Sequence, residues 1–246
     1  MTELSIAARE TRRVGSITVT YLPDGYGLLE PAAAFPAWTG AATRLPVSVG
    51  SFLIATADRL LLVDLGLGPV AFDVPGFASF SSGALPDSLA AEGHRPADVD
   101  TVLFTHLHHD HVGWAEAFTH ARYVVAEAEW RHWHGTDSPV GPSPAIQDAL
   151  AARVEFAADG DEVAPGVRVL AAPGHTPGHL AVEIADGGER LLIIGDALHT
   201  RAQVAAPSLC FAFDADPGEA QRTREKLLAD DVPFAGGHFT GTVFGR

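Results

Sequence analysis

Residues 101–114 read TVLFTHLHHDHVGW. The start of this stretch is a short apolar, β-prone run and predicts a buried strand over 101–105. His106, Leu107, His108, His109, Asp110 and His111 follow at once. Five metal-capable side chains therefore fall within six residues at the mouth of the strand. On an extended segment His106 and His108 point the same way. Asp110 and His111 come after the turn and can face a second centre. The bland alternative is a polar loop with incidental histidines, and the spacing weighs against it.

The same design recurs further along the chain. An apolar strand over 167–172 leads into Pro173, Gly174, His175, Thr176, Pro177, Gly178 and His179. Another over 191–194 leads into Gly195, Asp196, Ala197, Leu198 and His199, and a third over 232–235 leads into Gly236, Gly237 and His238. Each time a buried strand delivers a candidate ligand from its C-terminal end.

Around these motifs, residues 15–22 alternate as a strand, and 51–55 with 59–64 read as a hairpin. Residues 23–50 and 66–82 read as two long loops, of the length that compact domains reserve for function. Helices are expected over 85–92, from about 127 through Trp133, over 145–153 and from Asp216 to about Leu228. In the last, Asp216 is the N-cap, Pro217 the first position, and Glu219 completes a capping box. Strands in two groups separated by helices predict a mixed α/β sandwich, not a doubly wound parallel sheet. The whole chain, 1–246, is expected to be one domain.

The 246 residues carry a formal net charge of −15, twelve His and one Cys. The single Cys210 excludes an internal disulfide framework and any Cys-rich zinc site; it reads as a small buried apolar residue. The charge argues against nucleic acid and anionic membranes as partners. No apolar run is long enough to span a bilayer. Glu3, Arg9, Glu10, Arg12 and Arg13 leave no room for a secretory leader, so a cytoplasmic protein is expected, as a monomer or homodimer.

On the run from His106 to His111, with His175, Asp196, His238 and Asp64 in its Val63-Asp64-Leu65-Gly66 turn, the sequence resembles the metallo-β-lactamase superfamily of hydrolases. The resemblance implies a four-layer αβ/βα sandwich with the site along one edge. It implies that His106, His108 and His175 hold one divalent ion, that Asp110, His111 and His238 hold a second, and that Asp196 bridges both. Zinc is the expected metal, with iron, manganese or cobalt as alternatives. A hydroxide between the ions would be the nucleophile. Asp64 would accept from the N–H of a ligand histidine.

An Asp at 196 looks like glyoxalase II, acyl-homoserine lactonases and the methyl parathion hydrolase group; the stretch 105–114, the stretch Gly195–His199 and the entry Phe213-Asp214-Ala215-Asp216-Pro217 look closest to the lactonase and methyl parathion hydrolase branch. Many lactonases have Tyr three residues after the bridging Asp; this chain has His199, which could donate to the substrate carbonyl or protonate the leaving oxygen. Asp110 is the other candidate proton donor. The implied reaction is hydrolysis of a lactone or related carboxylic ester. β-Lactam, phosphotriester or thioester hydrolysis, a mononuclear iron persulfide dioxygenase and a non-catalytic metal binder are the competing readings.

His109 sits between ligands and His179 starts a strand; neither has ligand spacing. His94, His120, His132 and His134 read as surface or helix residues. The aromatic residues of the two long loops (Tyr26, Phe35 and Trp38; Phe72, Phe77 and Phe80), with Phe211 and Phe213, are candidates for the wall of an apolar substrate pocket. Ordinary packing is the alternative for each. Arg201 lies near enough to His199 in sequence to reach the cleft.

Overall fold

The computed structural model describes residues 6–246. Glu3, one of the charges weighed against a leader, lies outside this range. Among the described residues, nine strands form a first sheet: β1 (Glu10–Val14), β2 (Ile17–Leu29), β3 (Leu45–Ala55), β4 (Leu60–Val63), β5 (Ala71–Val74), β6 (Ala78–Ser82), β7 (Thr101–Leu103), β8 (Arg122–Val125) and β9 (Val154–Phe156). Their order is β5-β6-β2-β3-β4-β7-β8-β9, with β1 beside β2. β4, β7, β8 and β9 pair with one another in parallel, and all other pairs in this sheet are antiparallel. Six strands form a second sheet in chain order: β10 (Glu162–Ala164), β11 (Val167–Ala171), β12 (Leu180–Asp186), β13 (Glu189–Ile193), β14 (Phe234–Ala235) and β15 (Phe244–Gly245).

Side-chain alternation decides how the sheets stack. Successive residues of a strand face opposite sides. Phe52 and Ile54 of β3 and Leu61 and Val63 of β4 meet Val182 and Ile184 of β12 and Leu191 and Ile193 of β13 in a core between the sheets. The intervening Leu53 and Leu62 face outward, where they pack with Leu85 and Leu89 of α2 (Leu85–Ala91), Trp133 of α4 (Glu127–Trp133) and Leu150 of α5 (Pro144–Ala151). On the far side, Ala181 and Leu192 pack with Leu227 of α7 (Pro217–Ala229). The layers are helix, sheet, sheet, helix, the α/β sandwich expected. Burying each large aliphatic side chain contributes roughly 1.5–3 kcal/mol. The shorter helices are α1 (Pro31–Ala34), α3 (His109–Val112) and α6 (Ala202–Ala205). No helix among the described residues is long and apolar enough to cross a membrane.

Both expected long loops contain strand. β2 runs on to Leu29 and β3 begins at Leu45, with a register shift between Pro23 and Gly25. The polar and small residues that hide this strand have packing roles. Asp24 is buried and accepts from the backbone N–H of Leu67, Gly68 and Leu85 and from Trp114 Nε1. Gly25 lies so close to β6 that a Cβ would sit 2.3 Å from the Ser81 carbonyl oxygen. Residues 66–82 contain the β5–β6 hairpin, turned at Pro75-Gly76 and paired to β2 through β6. At α7 the Asp216 side chain accepts from Glu219 N. The return half of the expected capping box is replaced: Glu219 pairs with Arg222.

Candidate metal centre

The parallel strands β4 and β7 end side by side, and the turns that follow them carry Asp64 and the histidine run. From the second sheet come the turn after β11 with His175, the turn after β13 with Asp196, and the turn after β14 with His238. All open at one edge of the sandwich. The ligand atoms of His106, His108, His175 and Asp196 lie within 4.8 Å of one another, and those of Asp110, His111 and His238 form a second such group. Asp196 faces both. Its Oδ2 lies 3.7 Å from His106 Nε2 and 3.5 Å from His175 Nε2; its Oδ1 lies 3.2 Å from both His111 Nε2 and His238 Nε2.

Four of the five clustered histidines have the outer ring nitrogen occupied, which turns the other inward. His106 Nδ1 bonds Thr105 Oγ1, His111 Nδ1 donates to Asp64 Oδ2 at 2.8 Å, His175 Nδ1 donates to Asp214 Oδ1 at 3.1 Å, and His238 Nδ1 donates to the Ser48 carbonyl at 2.7 Å. His108 presents Nδ1 instead, 3.0 Å from both His106 Nε2 and His175 Nε2. Outer partners of this kind fix the tautomer and aim of a metal-ligating imidazole. Asp64 also accepts from Thr105 N and Oγ1, and its backbone is held at φ 61°, a strained conformation for a residue with a Cβ.

Electrostatics separates the two groups. Burial holds the imidazoles of His106 and His108 well below the usual histidine range, and their imidazole neighbours add to it. Burial also pulls His111 and His238 down, but facing carboxylates, Asp196 first, outweigh it. They hold His111 well above its ordinary value and His238 at about 9. Burial pushes the Asp196 carboxyl up, and His238, His111, His199 and His106 together hold it well below the usual carboxylate range. Asp110 behaves likewise, held to about 2 by His111, His109 and His238 against burial. The donor set fits two divalent cations. The ring nitrogens of His106, His108 and His175 converge on one point, a carboxylate divides its oxygens between the two groups, and the buried His111 Nε2 has no hydrogen-bond partner. Imidazole with carboxylate suits zinc and its first-row neighbours.

The remaining candidates are placed as follows. His199 is buried beside the cluster, its Nε2 3.1 Å from Asp196 Oδ2 without hydrogen-bond alignment, and burial lowers its pKa. His179 lies behind Asp196, its Nε2 accepting from Asp196 N, and burial pushes it down to about 3. His109 turns from the ligand groups onto the cavity wall, bonded to the Val140 carbonyl. Arg201 does not reach the cleft; it donates to the carbonyls of Thr242 and Phe244. Cys210 is half-buried, not an inert core residue, and its Sγ accepts from Arg224 Nη2 at 3.2 Å.

A cavity of about 530 Å³ opens over the cluster. Phe72, Phe77, Phe80, Phe211 and Phe213 line it, together with Leu29, Val47, Val74, Pro139 and Val140; His108, Asp110, Asp196, His199 and His238 form its floor. Tyr26, Phe35 and Trp38 are not on its surface. Tyr26 points to solvent, Phe35 is fully buried beneath Phe211 and His199, and Trp38 packs on Phe35. Sequence reasoning missed Pro139, Val140, Asp214, Arg224 and Glu129. Asp214 stood in a quoted motif as a helix entry, but its partners are distant: Arg224 and Asp214 form a wholly buried ion pair behind His175.

Comparison with known proteins places this architecture. A family model described as the metallo-beta-lactamase superfamily matches residues 44–237. An N-acyl homoserine lactonase of Bacillus thuringiensis is 29% identical over 198 residues, 74% of this chain and 76% of the relative. The structure of AidC, a dizinc quorum-quenching lactonase in complex with a product, superposes with a TM-score of 0.85 at 21% identity, covering 99% of this chain and 94% of that one. The hydrolase AbOPH superposes at 0.81 and 24% identity, covering 98% and 94%. The family match takes in most of the chain and every clustered residue except His238, which follows directly after it: the chain belongs to the metallo-β-lactamase superfamily.

Proposed function

We propose that the protein is a dinuclear metal-dependent hydrolase that opens lactones bearing an apolar acyl chain. The observation that carries this reading is Asp196, whose two oxygens face two separate histidine groups. His106, His108 and His175 would hold one ion and Asp110, His111 and His238 the other, with Asp196 shared and Asp64 orienting His111. Bound there, two zinc ions would supply Lewis acidity toward a carbonyl oxygen and would activate water at neutral pH. The names of the similar proteins support a lactone as substrate.

The protein's own groups do the rest. The phenylalanine wall takes the acyl chain out of water, and among the described residues no Lys or Arg lines the cavity. Asp110, at the cavity floor, is placed to take the proton lost by the attacking water and return it to the ring oxygen as the acyl–oxygen bond breaks. His199, neutral through burial, carries one N–H for the substrate oxygen. The second ligand group, Asp110, His111 and His238, favours this reading over a mononuclear iron oxidoreductase. We further propose that the chain is one domain, acting in the cytoplasm as a monomer or homodimer.

The test is metal analysis of the purified protein with turnover of acyl-homoserine lactones, a β-lactam, a phosphotriester and a thioester. Two metal ions per chain and preferential lactone opening are expected. One iron per chain with oxygen uptake on a persulfide would overturn the reading.

A further inference from the structure

Glu129 of α4 is wholly buried and belongs to neither ligand group. Its Oε1 accepts from Leu107 N at 3.0 Å and from Trp133 Nε1 at 2.7 Å, and its Oε2 accepts from Gly178 N at 3.0 Å. Leu107 stands between His106 and His108. Gly178 stands in the turn that carries His175 and leads into His179. One side chain therefore fastens the two loops from which all three histidines of the first group come. All three partners are N–H donors, so the position calls for a side chain that only accepts.

Gly178 gives independent support. A Cβ there would lie 2.2 Å from Glu129 N and 2.7 Å from Glu129 Cα. The His175 loop rests its bare backbone on the start of α4, and only glycine permits that approach. The two features act together: the missing side chain brings the loop down, and the carboxylate holds it there.

We propose that Glu129 is a positioning residue that sets the distance between the His106–His108 loop and the His175 loop, and with it the metal affinity of the first group alone. The inference rests on reading His106, His108 and His175 as ligands. The second group has supports of its own: His111 is oriented by Asp64 and His238 by the Ser48 carbonyl.

Glu129→Gln keeps the shape but has one acceptor oxygen. If that oxygen keeps Leu107 and Trp133, the amide N–H₂ faces Gly178 N–H, donor against donor, and the His175 loop is released. Cobalt titration of metal-free protein, followed by visible absorption, reads the result. A His238→Ala background reports the first group and a His175→Ala background the second. The expected outcome is a roughly 10–100-fold loss of first-group affinity with altered cobalt bands, and an unchanged second group. Gly178→Ala, which lifts the loop but leaves the carboxylate, must show the same selective loss. Unchanged first-group affinity in either variant, or an equal fall in both groups, would overturn the proposal, because a fold-wide role weakens both. Cobalt binding is read without substrate. A protein that shows the selective loss but opens no lactone would sustain this inference and refute the proposed substrate.

Discussion

His199 stacks on Phe211 with ring centroids 3.8 Å apart, and its Nδ1 has no hydrogen-bond partner. A buried, neutral imidazole at the cavity floor can donate to a substrate oxygen without contributing to either ligand group. His199→Phe keeps the stack and removes the N–H. The expected result is about a 100-fold fall in kcat with metal content unchanged; full kcat on the lactone would remove His199 from the mechanism. At this scale the clustered residues were legible because metal-capable types recur beside short apolar runs. Their supports were not. His175 meets Asp214 across 39 residues and His238 meets Ser48 across 190. An Asp before a helix, or a Ser in a strand, carries no local mark of such a partner.

The β5–β6 hairpin supplies one wall of the cavity. Phe77 at its turn packs against Phe211 and Phe213, ring centroids 6.3 and 4.9 Å away. Phe77→Ala should raise KM about tenfold for a long-chain lactone, the equivalent of about 1.4 kcal/mol of lost apolar contact, with kcat unchanged. A short-chain lactone should be nearly unaffected, and steady-state kinetics across chain lengths would show it; an equal change at every length would place Phe77 outside the acyl site. The hairpin's phenylalanines were suspected from sequence although the hairpin itself was not. Gly, Pro and polar residues interrupt its alternation, and its outer strand is exposed throughout. Tyr26 was misplaced for a related reason. Once residues 23–29 are strand, Tyr26 and Leu29 are an odd number apart and face opposite sides, so Leu29 lines the cavity and Tyr26 meets solvent.

At the scale of the whole molecule, the two ligand groups join the two sheets. His106, His108, Asp110 and His111 come from the first sheet, and His175, Asp196 and His238 from the second. Metal bound between them should stabilise the sandwich by linkage. At free metal 1,000-fold above Kd this is about 4 kcal/mol, or roughly 10 °C in Tm for a chain of this size. Chelation followed by scanning calorimetry should show a fall of that order, reversed by zinc; an unchanged Tm would mean that the groups do not hold metal in the folded protein. The sequence by itself determined the layered α/β class and the identities of the clustered donors, since period-two apolar runs and the residues at their ends are local properties of the chain. Only the tertiary structure decided that Asp196 turns one oxygen to each group, that Glu129 joins two loops across 22 and 49 residues, and that a hairpin from the first sheet closes a cavity over donors from both. Those relations depend on how two sheets pack face to face, and that packing sets distances between segments that no spacing along the chain records.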